Sequence, residues 1–323
     1  MDSRWKIHKF GGSSLGDADC FRRVAGLLLG HPDLRLGVVV SAMGGMTDGL
    51  LRLATLAEQD DAAFTGELAT IGERYAETAK ELLSGDALIE LLDAWGKDAD
   101  DIKDVLKAIA LVRAAPQRSR DVIAGYGEIW SARLLAAYLG QASPERGGTW
   151  IDARKILTVS ETELGPTVQW GLSQSKFHDV MPNDFKGIAV ITGFIAADEG
   201  GLQTTLGRNG SDYSAAIFAA LSDATELTIW TDVDGVMSAD PNRVPEARVI
   251  DQMTYSEAME LAYFGAKVIH PQTLGPAIDN GIPVIIRNSF KPEHEGSRIS
   301  ASPGSAEEIK GNTANSGMAL VNL

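Results

Sequence analysis

The chain has one cysteine, Cys20, in 323 residues, so no disulfide can form within it. Its fold must be held by packing alone, and a reducing, cytoplasmic setting is the expectation. Cys20 has no base near it in sequence that would make it a nucleophile. Positive charge is also scarce: 29 Lys and Arg against 44 Asp and Glu give a formal net charge of −15. That argues against general nucleic-acid binding, which needs a basic face. It does not forbid an anionic ligand, because a few local cations outweigh a distant acidic surface. No apolar run approaches the ~20 residues of a membrane span. No basic stretch followed by an apolar segment opens the chain as a signal peptide would. The five histidines (His8, His31, His178, His270 and His294) are scattered without ligand spacing, so each reads as structural and no metal site is expected. Neither GxxxxGK(S/T) nor GxGxxG occurs, so a bound nucleotide would be held by another scheme.

What the chain does have is aliphatic strand material. "WKIHKF" (Trp5–Phe10), "RLGVVVSA" (Arg35–Ala42), "GIAVITGFIA" (Gly187–Ala196), "ELTIWTD" (Glu226–Asp232) and "IPVIIRNS" (Ile282–Ser289) are short and rich in β-branched residues. Such runs suit strands covered on both faces. Helical patterns separate them, which predicts an α/β fold with a mainly parallel sheet and helices on both sides. From Asp48 to about Gln141 the pattern is mostly helical. "GEIWSARLLAAYLG" reads as a buried helix stopped by Gly140, and "TYSEAMELAYFGAK" opens with a capping box, Thr254 and Glu257. The stretch Glu293–Gly317 is polar and rich in Ser, Gly and Glu, as a peripheral end piece or linker would be. "MALVNL" (Met318–Leu323) reads as a strand that either joins the main sheet or leads into a further domain.

Four loops share one design, an apolar strand followed by small residues and a helix start or turn. They are "KFGGSS" (Lys9–Ser14), "SAMGGMTD" (Ser41–Asp48), "TLGRNGSD" (Thr205–Asp212) and "TDVDG" (Thr231–Gly235). In an open α/β sheet, ligands bind beyond the carboxyl ends of the strands. Glycine lets backbone N–H groups close on phosphate oxygens. The four loops are therefore expected to converge on one phosphate-rich site. Each polar residue in them has two readings. Lys9 is a strand-end lysine, or an ammonium set on a transferring phosphoryl group. Lys267 is an exposed helix-end lysine, or a second phosphate cation. Arg208 is a solvated loop arginine, or a bidentate carboxylate clamp. Asp212 is a capping carboxylate, or an anion that orients Lys9. Ser41 and Thr47 are turn and cap hydroxyls, or substrate contacts. Glu128 enters an apolar helix, as a first-turn acid or as the partner of a substrate ammonium.

Seven stretches, "KFGGSS", "SAMGGMTD", "GEIWSARLLAAYL", "ITGFIAAD", "TLGRNGSDYSAA", "TDVDGVMSADP" and "FGAKVIHP", follow one another in the order found in aspartate kinases. The chain thus resembles the amino acid kinase family over about Lys6 to Ser289. "GRNGSD" and "WTDVDG" look most similar to the aspartokinase part of bifunctional aspartokinase–homoserine dehydrogenases. The resemblance implies a three-layer αβα sandwich with a catalytic domain over 1–292, an acceptor lobe over about 1–200 and an ATP lobe over about 201–292. It implies transfer of the γ-phosphoryl of Mg-ATP to the β-carboxylate of L-aspartate, with Mg²⁺ held mainly through the phosphates. Lys9 would stabilise the transferring group and Asp212 would organise the site around it. Gly11, Gly12 and Ser13 would cradle phosphate. Arg208 would hold the α-carboxylate of aspartate and Glu128 its α-ammonium, with Ser41, Thr47 and Ser211 helping. Thr231, Asp232 and Lys267 would bind ATP. Where many members have Tyr and Arg after "TDVDG", this chain has Met237 and Asn242, with Arg243 one step on. The family pattern further implies ACT regulatory domains after the kinase, with "MALVNL" as the first strand of one. The chain would then be a catalytic fragment of a longer protein or a naturally shortened form; a longer parent would be a homo-oligomer, fused to a homoserine dehydrogenase or a diaminopimelate decarboxylase, and the chain without those domains would show weak or absent feedback inhibition. Two alternatives stand beside this expectation. One is a sister kinase with another acidic acceptor such as glutamate or acetylglutamate. The other is a catalytically silent nucleotide-binding module.

Overall fold

A computed structural model of the chain describes residues 4–33, 35–59, 62–163, 165–182, 184–240, 244–263 and 271–302. Strand β1 (Lys6–Phe10) passes through one 3-10 turn (Gly12–Leu15) into helix α1 (Ala18–Leu29). Asp17 caps that helix, its carboxylate accepting the Cys20 N–H at 2.9 Å. Strand β2 (Arg35–Val40) follows, and then four helices without a strand between them: α2 (Met46–Glu58), α3 (Phe64–Leu82), α4 (Gly85–Val112) and α5 (Gln117–Ala142). The helical pattern read from Asp48 to Gln141 is these four. Helix α5 runs two residues past Gly140, because a helical glycine costs only about 1 kcal/mol and the helix is buried along most of its length. The chain then forms β3 (Gly148–Ile151), β4 (Thr158–Thr162), β5 (Gly165–Val168), α6 (Trp170–Val180), β6 (Gly187–Thr192), β7 (Ile195–Asp198), β8 (Gln203–Thr205) and α7 (Gly210–Leu221). Last come β9 (Glu226–Thr231), β10 (Gln252–Thr254), α8 (Tyr255–Tyr263), α9 (Pro271–Asp279), β11 (Val284–Asn288) and β12 (Ser297–Ser300).

Among the described residues the strands form two sheets. The larger has the order β10-β12-β11-β9-β1-β2-β6-β3. Its neighbours from β11 to β3 are all parallel, and only β12 runs against its neighbour β11. The parallel part explains the uniform aliphatic runs, since helices cover both faces. Alternation along β1 shows the two sides. Lys9 reaches Asp212 of α7 on one face, while His8 and Phe10 line a small cavity with Leu27 and Leu28 of α1 on the other. His8 is structural. Trp230 donates its Nε1–H to His8 Nδ1 at 3.1 Å, and burial lowers the imidazole pKa to about 3, so the ring is neutral with its proton on Nε2.

The structure amends the sequence reading in two further places. "GIAVITGFIA" is two strands, not one. Phe194, in the left-handed region at φ 67°, turns the chain between β6 and β7, and Ser214 Oγ accepts its N–H at 2.9 Å. Strand β7 then joins a second sheet of order β5-β4-β7-β8. The polar stretch after Pro292 also contributes structure, since β12 inserts between β10 and β11 with Ser297 and Ile299 fully buried. The remainder of that stretch from residue 303, including Met318–Leu323, lies outside the described residues. The capping box at α8 forms: Glu257 accepts the Thr254 N–H at 2.6 Å, and Thr254 Oγ1 accepts the Glu257 N–H at 3.2 Å. Among the described residues no helix is long and apolar enough to cross a membrane.

Candidate active site

The carboxyl ends of β1, β2 and β6 and the loop before α7 enclose a cavity of about 620 Å³. Lys9, Gly12, Ser41, Thr47, Glu128, Arg208, Ser211 and Asp212 all line it. Eight residues far apart in sequence therefore share one space. The reason is topological. β1 and β2 are parallel neighbours, so the loops that leave them emerge on the same edge. Ser41 N–H bonds to the Phe10 carbonyl at 3.0 Å, the last rung before the loops part.

Lys9 is the penultimate residue of β1 and only 9% exposed. Its Nζ lies 2.7 Å from Asp212 Oδ1, in the first turn of α7. The pair is half sunk in the wall, where its attraction is screened less than on an open surface. Helix α7 is entered through Asn209, which takes the left-handed conformation at φ 56°. That start carries Ser211 and Asp212 into the cavity. Arg208 sits on the exposed lip beside it and makes no ion pair among the described residues.

Glu128 comes from the other side, on α5, and is 4% exposed. Burial pushes its carboxyl up to about 8. Backbone hydrogen bonds at Ala42 and Glu128 and the charge of Lys9 oppose that rise without cancelling it. Its Oε2 finds no hydrogen-bond partner among the described residues. A buried carboxyl oxygen left this way is costly unless something arrives to meet it. Helix α5 can bring Glu128 this close because residue 127 is glycine. A Cβ there would stand 2.8 Å from the Ala42 Cβ.

The remaining sequence candidates lie at the neighbouring strand end. Gly11 N–H reaches the Trp230 carbonyl at 3.4 Å, so the loop after β1 adjoins the end of β9. Thr231 closes β9; its Oγ1 donates to Asp232 Oδ1 at 3.2 Å, and its carbonyl accepts the Ser289 N–H at 2.9 Å. Ser289 Oγ is in turn 2.8 Å from Ser14 Oγ, which ties β11 to the loop after β1. Gly11, Ser13, Thr231 and Asp232 thus sit beside the cavity rather than in its lining. Lys267, Asn242 and Arg243 lie outside the described residues, and Met237 makes an isolated bridge with Val249. Sequence reasoning did not single out Phe194, Asn209, Gly44 and Gly45, which also line the cavity. The glycine pair and Asn209 lie within stretches already quoted; Phe194 follows a strand end in the same manner as the others. Among the described residues no group of three or more His, Cys, Asp or Glu is placed to hold a metal ion.

This is an α/β protein with a lysine–carboxylate pair and glycine loops around a cavity at the carboxyl edge of a parallel sheet. The chain belongs to the amino acid kinase family, whose model matches residues 4–288. Within that family it is similar to aspartokinases. It is 37% identical to the bifunctional aspartokinase/homoserine dehydrogenase 2 of Arabidopsis thaliana, over 98% of this chain and 34% of the relative. It is 34% identical to the bifunctional aspartokinase/homoserine dehydrogenase 2 of Escherichia coli K12, over 91% of this chain and 35% of the relative. Among solved structures, E. coli aspartokinase III in complex with aspartate and ADP superposes with a TM-score of 0.81 at 29% identity, covering 92% of this chain and 64% of that one. The chain spans about a third of the length of these bifunctional relatives.

Proposed function

We propose that the chain is an aspartate kinase domain, which transfers the γ-phosphoryl of Mg-ATP to the β-carboxylate of L-aspartate and yields 4-phospho-L-aspartate. The observation that carries this reading is the pairing of charges in one cavity. A buried carboxyl with an unmet oxygen (Glu128), a guanidinium at the lip with no ion pair among the described residues (Arg208) and an ammonium held by a carboxylate (Lys9 with Asp212) match the three charged ends of the reaction. Glu128 receives the α-ammonium and Arg208 the α-carboxylate, with Ser41, Thr47 and Ser211 fixing the orientation between them. The β-carboxylate then points toward Lys9.

The chemistry needs little from the protein beyond alignment and neutralisation. A carboxylate is already ionised, so no general base has to take a proton from it. One of its oxygens forms a bond to the γ-phosphorus as the bond to the bridging oxygen breaks, and the electron pair leaves with ADP. Lys9 offsets the charge spread over the equatorial oxygens. Asp212 holds Lys9 at 2.7 Å and so fixes where that charge sits. Gly11, Gly12 and Ser13 present backbone donors to the phosphates, while Thr231, Asp232 and Lys267 hold the nucleotide. Mg²⁺ would enter on the phosphates, where it neutralises charge; it commonly needs only one or two carboxylates besides phosphate and water, so no protein cage is required.

Glu128 also favours aspartate over an acetylated acceptor, whose uncharged amide offers nothing to a buried carboxylate. Several further elements belong to the same proposal: the division into acceptor and ATP lobes, the cytoplasmic setting suggested by a single cysteine, and an oligomeric parent fused to homoserine dehydrogenase or diaminopimelate decarboxylase. The test is ATP turnover by the purified chain against L-aspartate, L-glutamate and N-acetylglutamate, with hydroxylamine trapping the acyl phosphate. Hydroxamate that depends on aspartate is the expected result. Hydroxamate with another acceptor, or with none, overturns the reading.

A further inference from the structure

Helix α3 sends one arginine to the back of the cavity wall. Arg74 Nη1 donates to the Gly44 carbonyl at 2.8 Å, and its Nη2 donates to the Gly16 carbonyl at 2.9 Å. Gly44 lies in the loop after β2, and Gly16 lies in the loop after β1. One planar fork therefore bridges the two glycine loops. Arg74 pairs with no carboxylate among the described residues, and it does not line the cavity. Beyond the Ser41–Phe10 rung, no backbone hydrogen bond among the described residues joins the two loops: Ser14 N–H goes to Gly11, Met46 N–H to Met43, and Gly11 N–H to Trp230 of β9. Yet the loops touch. A Cβ on Gly12 would stand 3.1 Å from the Ala42 carbonyl, and one on Gly44 would stand 3.2 Å from the Gly12 carbonyl.

The direction of the Gly44 carbonyl decides what the loop offers the cavity. Every described peptide bond is trans, and in a planar trans peptide the C=O and the following N–H point opposite ways. With the Gly44 carbonyl turned outward to Arg74, the Gly45 N–H turns inward. Gly45 lines the cavity, and among the described residues no backbone acceptor takes its N–H. It sits in the left-handed region at φ 76°, which glycine adopts without steric cost, and follows a second glycine. The Met46 N–H bond to the Met43 carbonyl closes a turn around that peptide, but the same turn bond forms with its central peptide facing either way. We infer that Arg74 is a positioning residue, which locks the Gly44–Gly45 peptide so that the Gly45 N–H faces the anionic oxygens of the reaction. Its anchor is firm, because the adjacent Tyr75 is buried and donates its hydroxyl to the Trp130 carbonyl of α5. A lysine cannot replace it, since a point ammonium lacks the fork that spans two carbonyls.

The role in turnover rests on the kinase reading above, and the test separates the two. Arg74→Ala and Arg74→Lys are made in the full chain; kinetics are measured for both substrates and a crystal structure is solved for Arg74→Ala. A donor aimed at charge that develops during transfer acts on kcat more than on KM. Loss of its alignment is expected to lower kcat about tenfold or more, to change either KM less than about threefold, and to leave the Lys variant close to the Ala variant. In the Arg74→Ala crystal the Gly44 carbonyl should leave its outward position. Wild-type kcat in Arg74→Ala, full activity in Arg74→Lys, or a Gly44–Gly45 peptide that stays put without the guanidinium each overturns the proposal. A wild-type chain that phosphorylates no acceptor overturns the kinase reading instead, and the peptide orientation then decides the role of Arg74 by itself.

Discussion

Glu128→Gln should weaken the enzyme and stabilise the protein, and the two effects have opposite signs for one reason. Burial holds the Glu128 carboxyl protonated up to about pH 8, from an ordinary value of 4.5. Between those values the unfolded chain has lost this proton and the folded chain has kept it. The stability linked to the group is full below 4.5 and is lost as pH rises through 8. The slope is roughly 1.4 kcal/mol per pH unit. By pH 7 the loss is about 3 kcal/mol. Glutamine has the same shape and no proton to lose, so the ligand-free variant should melt above wild type at pH 8 and close to it near pH 4.5. Aspartate binding runs the other way. Its ammonium pairs with the ionised carboxylate, and at pH 7 only roughly a tenth of free chains carry it. Wild-type kcat/KM for aspartate should therefore climb by up to about tenfold per unit below pH 8 and level off above it. In Glu128→Gln that slope should vanish, and KM for aspartate should rise roughly 10- to 100-fold, the cost of leaving a buried charge without its charged partner. KM for ATP should hardly move. The assays are ADP release between pH 6 and 9 and thermal melts over pH 4.5 to 8. A variant with wild-type aspartate kinetics, or one that melts below wild type at pH 8, refutes the reasoning.

Three other changes test neighbouring parts of the site. Lys9→Ala should cost on the order of 10²–10³ in kcat with the fold intact, read by turnover beside circular dichroism; near-normal turnover would remove Lys9 from the chemistry. Arg208→Ala should raise KM for aspartate at least tenfold and leave ATP affinity unchanged, because the side chain stands at the acceptor lip; an effect on ATP alone would reassign it. Gly127→Ala should lower stability by about 1–3 kcal/mol in urea unfolding, since its new methyl has to displace Ala42. Melting unchanged from wild type would mean that α5 can shift away freely.

The parallel sheet was legible because its strands are buried on both faces and so read as aliphatic runs; β1, β2, β9 and β11 stand where those runs stand. The same signal hid the break at Phe194, where apolar residues continue although the backbone turns. The second sheet was legible only at the start of β7, where the aliphatic run ends. Thr158–Thr162, Gly165–Val168 and Gln203–Thr205 are short and polar, and their pairing comes from position, not from pattern. At the site, glycines after a strand mark loops that approach a ligand, and a lysine or carboxylate among them is easily noticed. Arg74 gave no such mark. It is an exposed arginine on an amphipathic helix, and its partners are carbonyls, which no residue letter encodes. Glu128 was visible as an acid in an apolar helix, but the size of its proton affinity depends on burial that only the folded chain supplies.

An aspartate kinase domain places the phosphoryl group on the side-chain carboxylate of aspartate. Carbon-13 NMR follows it directly, with L-[4-¹³C]aspartate and L-[1-¹³C]aspartate in separate tubes with the chain, ATP and Mg²⁺. Expected are a new C4 resonance split by coupling to phosphorus, and an unsplit C1. Phosphorus coupling at C1, or ATP consumed with no coupled carbon in either tube, would contradict that placement.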